Sequence, residues 1–292
     1  MAPIQGLGTI GIWTMELRAD GPEQLGAVQE AAAELDELGF GSVWIGGSPS
    51  VAQAAHVLEA TRNLTVGTSI LSIWQHEAAD VAAQYGALPP GVRERFVLGL
   101  GVSHAKLAAQ YARPYPAMKE YLAALDGAPV PVPAERRVLA ALGPKMLGLA
   151  ADRAAGAIPY LVATEHTAQA RETLGGEAFL APELPVVLDT DLSRAREAAR
   201  EHIDFYLALP NYTNNFVRLG FTEDDFKSGG SDRLLDALFA LGDAERVRER
   251  VREHVAAGAD HVAVQVVVPG GRNLDAVRPK WRELAEALVS DR

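Results

Sequence analysis

The chain of 292 residues is 48% hydrophobic and 22% charged, a composition that can bury a large core and matches no disordered class. A formal net charge of -11 with no basic stripe argues against a nucleic-acid partner. The absence of cysteine removes disulfides, thiolate metal sites and a cysteine nucleophile, which suits a cytoplasmic protein.

The first residues carry no basic segment followed by a long apolar run, and no later stretch reaches about 18 consecutive apolar residues, so neither export nor a membrane span is expected. From there on, β-rich runs alternate with Ala- and Leu-rich runs. Strands are expected at residues 7–13, 41–47, 64–70, 95–101, 136–142, 156–162, 184–189 and 261–268. Between the first two, Leu25, Val28, Ala32, Leu35 and Leu38 recur at three- and four-residue steps and Gly39 and Gly41 close the run, the pattern of an amphipathic helix. Further helices are expected at 78–88, 116–127, 143–156, 165–176, 192–209 and 243–260.

Strand-helix alternation means parallel strands joined by crossover helices. Eight strands, the last near the C-terminus, favour an α/β fold closed into a (β/α)8 TIM barrel. The open doubly wound alternative would want a Gly-x-Gly-x-x-Gly turn after the first strand, and that turn reads GIWTMELRADGPEQ. Residues 1–292 read as one domain, with an insertion at 208–242 that is expected to lie over the site.

In such a barrel the loops after the strands' C-terminal ends build the active site. Here they offer Trp13, Gly47 with Ser48, Ser69 with Ile70, Gly101-Val102-Ser103-His104 and Gly143-Pro144-Lys145. Small and hydroxyl residues dominate and acids are scarce, which fits a flat organic cofactor better than a metal or a glycosidase pair. At 143–146, Gly143 allows close approach, Pro144 suits the first helical position, and free N–H groups beside Lys145 make either a phosphate cradle or a plain strand-to-helix turn. His104 is the lone ionisable side chain at an expected strand end, so it serves either as a proton carrier near neutrality or as a helix cap. His76 and His166 stand near helix starts, whereas His56, His202, His254 and His261 read as surface or interface residues. Trp13, Trp44 and Trp74 fall at or near neighbouring strand ends and are candidates for a substrate-pocket wall or for ordinary core.

Taken in order, the stretches GFGSVWIGGSP, VGTSIL, RFVLGLGVSHA, ALGPKMLGLAADRAAGAIPYLV, TEHTAQARE and NYTNNFVRLGFTEDDF resemble the luciferase-like oxidoreductases. The likeness runs along nearly the whole chain, and it is nearest to the actinobacterial branch that uses the deazaflavin coenzyme F420. It implies a non-prolyl cis peptide at Ser69-Ile70 behind the cofactor ring. It also implies that Gly47, Gly101, Val102, Ser103 and His104 line the ring and its chain, that Leu142, Gly143, Pro144, Lys145 and Met146 hold the phosphate, and that the protein is a homodimer.

The departures from that pattern bear on chemistry. Gly47-Ser48 replaces an Asp-His pair found in sugar-phosphate dehydrogenases of the family, His104 replaces a Glu, and QHEAADVAAQ replaces an Arg-x-x-Pro-like element. A sugar phosphate is therefore not the expected substrate. The resemblance implies hydride transfer between F420 and a small unsaturated, imine or carbonyl compound, with His104 and Ser48 as the catalytic candidates. FMN with dioxygen is the alternative cofactor chemistry, and a non-catalytic flavin-binding barrel is the third reading.

Overall fold

The computed structural model describes residue 4 and residues 6–103, 113–271 and 273–289. Its strands are β1 (Ile10–Thr14), β2 (Ser42–Ile45), β3 (Thr65–Thr68), β4 (Leu71–Ser72), β5 (Phe96–Gly101) and β6 (Arg137–Leu139). They continue with β7 (Gly156–Ala157), β8 (Phe179–Leu180), β9 (Glu183–Leu188), β10 (Ala240–Gly242) and β11 (Val262–Val266). Every pairing between them is parallel.

Residues 179–188 close the sheet on itself. Their first part, β8, pairs with β7 at Gly156↔Phe179, and their second part, β9, pairs with β11 from Ala263↔Glu183 to Val266↔Val186. The Glu183 N–H also donates to the Pro159 carbonyl at 2.9 Å, so one segment is bonded along both edges. The staves of the barrel are thus β1, β2, β3 with β4, β5, β6, β7, β8 with β9, and β11. Beyond the point where β7 leaves off, β10 takes its place beside Val186–Leu188 as an additional parallel strand.

Side chains alternate across each stave. Val97 points into the barrel, where it meets Trp13, Trp44, Val138, Ile158 and Phe179, while its neighbours Phe96 and Leu98 point out to the helices. Both faces are buried, which is why the strands are continuous apolar runs. The helices are α1 (Leu25–Glu37), α2 (Val51–Ala60), α3 (Ala78–Ala87), α4 (Pro90–Arg93), α5 (Pro114–Asp126) and α6 (Pro144–Arg153). They are followed by α7 (Thr164–Leu174), α8 (Leu192–Leu207), α9 (Pro210–Arg218), α10 (Asp232–Leu238), α11 (Ala244–Ala256) and α12 (Leu274–Leu288). Local chemistry sets their starts: Ser50 and Gln53 form a reciprocal capping box on α2, Asp191, Ser231, Asp243 and Asn273 cap α8, α10, α11 and α12, and proline opens α5, α6 and α9.

Several expectations change here. Strands β8 and β10 were not anticipated, because Phe179–Leu180 is two residues long and Ala240–Gly242 continues the Leu- and Ala-rich composition of α10. Helices α2 and α12 add to the expected set, and the expected strand at 156–162 is regular only over Gly156–Ala157. Residues 208–242 carry α9, α10 and β10, and pack as a cluster of Ile203, Phe216, Leu234, Leu238 and Phe239.

His254 and His261, expected at the surface or an interface, are fully buried. Both His261 nitrogens are used: Nδ1–H donates to the Gly8 carbonyl at 2.8 Å and Nε2 accepts from the Trp44 indole at 3.0 Å. A single sequence shows the residue type but not the partner that makes its burial tolerable.

Candidate functional site

The third stave is interrupted between β3 and β4 by a cis peptide at Ser69-Ile70. Close backbone approach holds this corner. Thr68 Oγ1 donates to the Gly99 carbonyl at 2.8 Å and accepts from the Gly99 N–H at 2.9 Å, and a Cβ on Gly99 would stand 1.9 Å from the Thr68 carbonyl oxygen. One turn of the strand later, a Cβ on Gly101 would stand 2.6 Å from Ile70 Cγ1. The glycines of LGLG are therefore required where the third and fourth staves touch. From the first stave, the Trp13 indole N–H reaches Ser69 Oγ at 2.8 Å.

Above this corner opens a cavity of about 550 Å³. The loop after β2 forms one wall, with Gly47 at φ 77 and Ser48 at φ 58. Ser48 Oγ accepts the Ser72 N–H at 3.0 Å, and the His76 Nε2–H donates to the Ser48 carbonyl at 3.2 Å, so the second loop is pinned to the third. Opposite lies the loop from β6 into α6. Its Leu142 carbonyl accepts from His166 Nε2–H at 3.0 Å, and burial pushes the His166 pKa below its ordinary value. Gly143 caps α6 in extended conformation, and the nearest heavy atom to a Cβ built on it is an Arg218 guanidinium nitrogen from α9, 3.9 Å away. A helix N-terminus and a guanidinium thus face the same space at the cavity edge, the combination that suits an anionic group.

The remaining wall is aromatic. Tyr160 packs on Trp13 with ring centroids 5.2 Å apart, Tyr206 on Tyr160 at 5.4 Å, and Tyr212 on Tyr206 at 5.1 Å. The hydroxyls are linked: Tyr206 O–H donates to the Tyr160 oxygen at 3.1 Å, Tyr160 O–H donates to Gln265 Oε1 at 2.8 Å, and His202 Nε2 lies 3.3 Å from the same Tyr160 oxygen. Burial pushes the Tyr160 and Tyr212 phenols well above their ordinary range, Tyr206 up to about 12, and His202 down to about 4. Near them Glu183 is wholly buried, accepts the Leu161 N–H at 2.9 Å through Oε2, and is pushed by burial up to about 8. A smaller cavity of about 260 Å³ shares Trp13, Met15, Phe205 and Tyr206 with the larger one and adds His202, Gln265 and Glu16.

Among the described lining residues of the larger cavity none is charged. Its polar groups are the hydroxyls of Ser48, Ser69, Ser72, Ser103 and the three tyrosines, the amides of Gln75 and Asn211, and backbone. No group of residues arranged to hold a metal ion occurs among the described residues. Such a surface accepts a flat, largely apolar ring system, and the volume lies in the range of small-molecule sites.

Of the residues singled out from sequence, the cavity brings together Trp13, Gly47, Ser48, Ser69, Ile70, Val102, Ser103, Leu142, Gly143 and Met146. Gly101 stands behind Ile70, and Pro144 and Lys145 are exposed on the first turn of α6 rather than in the lining. His104 lies outside the described residues. Trp44 is not a pocket wall: it fills the barrel interior, 1% exposed, bonded to His261. Trp74 is half-buried beside the cavity, its indole N–H donating to the Val102 carbonyl, and it holds the loop after β5 instead of lining the space. His202, read as superficial from sequence, lines the smaller cavity. Tyr206, Asn211 and Tyr212 were missed because their approach depends on how α8 and α9 fold back over the barrel mouth, and Tyr160 was missed within the stretch expected as a strand. The stretch NYTNNF at the expected insertion was the only signal.

The model of the family described as luciferase-like monooxygenase matches residues 9–261. No curated protein sequence matches the chain. Among solved structures, an F420-dependent secondary alcohol dehydrogenase in complex with an F420-acetone adduct superposes with a TM-score of 0.72 at 14% identity, covering 98% of this chain and 99% of that one. The coenzyme F420-dependent tetrahydromethanopterin reductase of Methanopyrus kandleri gives 0.70 at 16% identity, over 97% and 99%. The FMN-bound oxygenating constituent of 3,6-diketocamphane monooxygenase from Pseudomonas putida gives 0.69 at 15%, over 95% and 96%. At these identities the superpositions speak for the fold, whereas the family match spans most of the chain. The chain belongs to the luciferase-like monooxygenase family.

Proposed function

We propose that the protein is an oxidoreductase that holds the deazaflavin coenzyme F420 in the larger cavity and reduces a small, uncharged carbonyl, imine or activated alkene. The observation that carries this reading is the hydroxyl-rich cavity over the corner at Ser69-Ile70, whose described lining residues carry no charge. When bound, the deazaflavin supplies a hydride to the substrate. Ser69, Ile70, Val102 and Ser103 would back and edge the ring, and the N-terminal turn of α6 with Arg218 would hold its phosphate. An apolar enclosure keeps ring and substrate face to face and excludes water, which is where orientation contributes most to rate. His104, which directly follows Ser103, stays a candidate proton donor from sequence, and Ser48 is a hydroxyl within the lining.

The same reading includes a homodimer, tested by light scattering behind size exclusion. The decisive experiment is titration of the cofactor-free protein with F420 and, separately, FMN, followed by ring fluorescence. Saturable binding of F420 with FMN ignored supports the proposal, and binding of neither removes it.

A second reading keeps the cavity and exchanges the cofactor for FMN with dioxygen as oxidant. It is favoured by the FMN-bound monooxygenase, whose superposition is nearly as good as those of the F420 enzymes. Oxygen uptake coupled to reduced FMN would select it.

A further inference from the structure

Beyond the corner at Ser69-Ile70, the aromatic wall and the smaller cavity behind it are built around hydrogen-bonding groups. Tyr206 stands at their junction and lines both cavities. Behind its hydroxyl the Tyr160 oxygen lies at 3.1 Å, and behind that, at 3.3 Å, lies Nε2 of His202, which faces the smaller cavity alone. We infer that Tyr206 is the acid that protonates the substrate oxygen, and that Tyr160 and His202 form a relay that returns the proton to it. The inference rests on the hydride-transfer reading above and narrows its substrate class to compounds with a carbonyl-type acceptor oxygen.

The chain of groups runs in one sense when it works as a donor. The resting directions, Tyr206 to Tyr160 to Gln265, reverse by rotation of two hydroxyls: His202 Nε2–H then donates to Tyr160, Tyr160 to Tyr206, and Tyr206 into the larger cavity. Were a bound deazaflavin to supply its hydride to the carbonyl carbon, the C–O π pair would move to oxygen, and that oxygen would take the Tyr206 proton. Tyr206 recovers a proton from Tyr160, Tyr160 from His202 Nε2, and His202 Nδ1 takes one from water entering the smaller cavity. The sum is one hydride and one proton added across C=O.

Burial supports the assignment. It holds His202 in the neutral form, with one N–H to give, and keeps the Tyr206 proton in place until a strongly basic oxygen develops beside it. Tyr206 lines both cavities, and its conversion to Phe keeps the ring and removes only the hydroxyl.

The test uses the protein loaded with whichever cofactor the titration selects, or the free chain when neither binds, with 13C-carbonyl cyclohexanone and benzaldehyde as probes. In the infrared, the C=O band of the bound probe is expected to shift to lower frequency in the wild type and to return toward its apolar-solvent position in Tyr206→Phe. In turnover of the same probes, Tyr206→Phe is expected to lower kcat by about 10² to 10⁴ with little change in KM. Tyr160→Phe is expected to keep part of the band shift and to enlarge the solvent deuterium isotope effect on kcat, which loss of packing alone would not do. A band shift that survives intact in Tyr206→Phe, or a cavity that takes up neither probe, overturns the assignment. Failure of the F420 titration overturns the cofactor reading instead.

Discussion

The indole N–H of Trp13 and the hydroxyl oxygen of Ser69 are hydrogen-bonded at 2.8 Å, tying the end of the first stave to the cis peptide in the third. The bond fixes the orientation of a cavity residue that borders both the corner at Ser69 and the tyrosine wall at Tyr160. Trp13→Phe keeps most of the apolar surface and removes the donor. A neutral hydrogen bond is worth about 1 kcal/mol, so ring binding is expected to weaken about fivefold, read by fluorescence titration. Unchanged affinity would mean that the corner is held without Trp13.

Trp44 gives the contrasting outcome. Its indole N–H satisfies His261 inside the barrel, away from the cavity lining. Trp44→Phe leaves a buried nitrogen unpaired, which costs about 1 to 3 kcal/mol, and urea unfolding should show that loss while cofactor affinity stays at the wild-type value.

The glycines separate in the same way. Gly99→Ala drives a methyl against the Thr68 carbonyl and Gly101→Ala drives one against Ile70, so both should lose roughly 1 to 3 kcal/mol or more in stability, with Gly99 the worse because backbone cannot swing aside. Gly143→Ala meets nothing nearer than 3.9 Å and its φ of -109 is open to any residue. It should fold with wild-type stability and weaken only the binding of a phosphorylated ring; equal loss of binding by a phosphate-free ring analogue would count against a phosphate at this turn.

Glu183 makes stability depend on pH. Its ordinary value of 4.5 is raised to about 8 by burial, so between those limits the unfolded chain has released a proton that the folded chain retains. Rising pH therefore favours unfolding across this window, by up to about 1.4 kcal/mol per pH unit, and the stabilisation present below 4.5 is lost by about pH 8. Glu183→Gln keeps an acceptor for the Leu161 N–H and has no proton to lose. Denaturant midpoints measured from pH 5 to 9 should move in favour of the variant as pH rises; parallel profiles would show that Glu183 does not titrate there.

Much of the barrel was legible because its strands are apolar on both faces and its helices carry a three- and four-residue apolar period, signals that are local and need no partner. The runs around Trp13, Trp44, Val66, Phe96 and Val138 fall on staves for that reason. The strand-end residues Ser69, Ile70, Val102, Ser103 and Gly143 could be named as a group because barrel topology places every such end on one rim. Strand β10 could not be found, since three residues of Ala-Leu-Gly become a strand only when β9 offers them an open edge.

What the sequence determined by itself was the alternation of elements, the hydroxyl-rich and acid-poor character of the strand ends and the family pattern. What the tertiary structure decided was which side chains those ends meet. Trp44 became core because His261 arrives from the last stave 217 residues away, and His202 became a cavity residue because α8 folds back over the mouth. Glu183 became a titrating group through burial that its own stretch, PELPVVL, does not announce. Periodicity is a property of neighbouring residues, whereas desolvation and hydrogen-bond partnership are properties of distant ones, and only the folded chain brings those together.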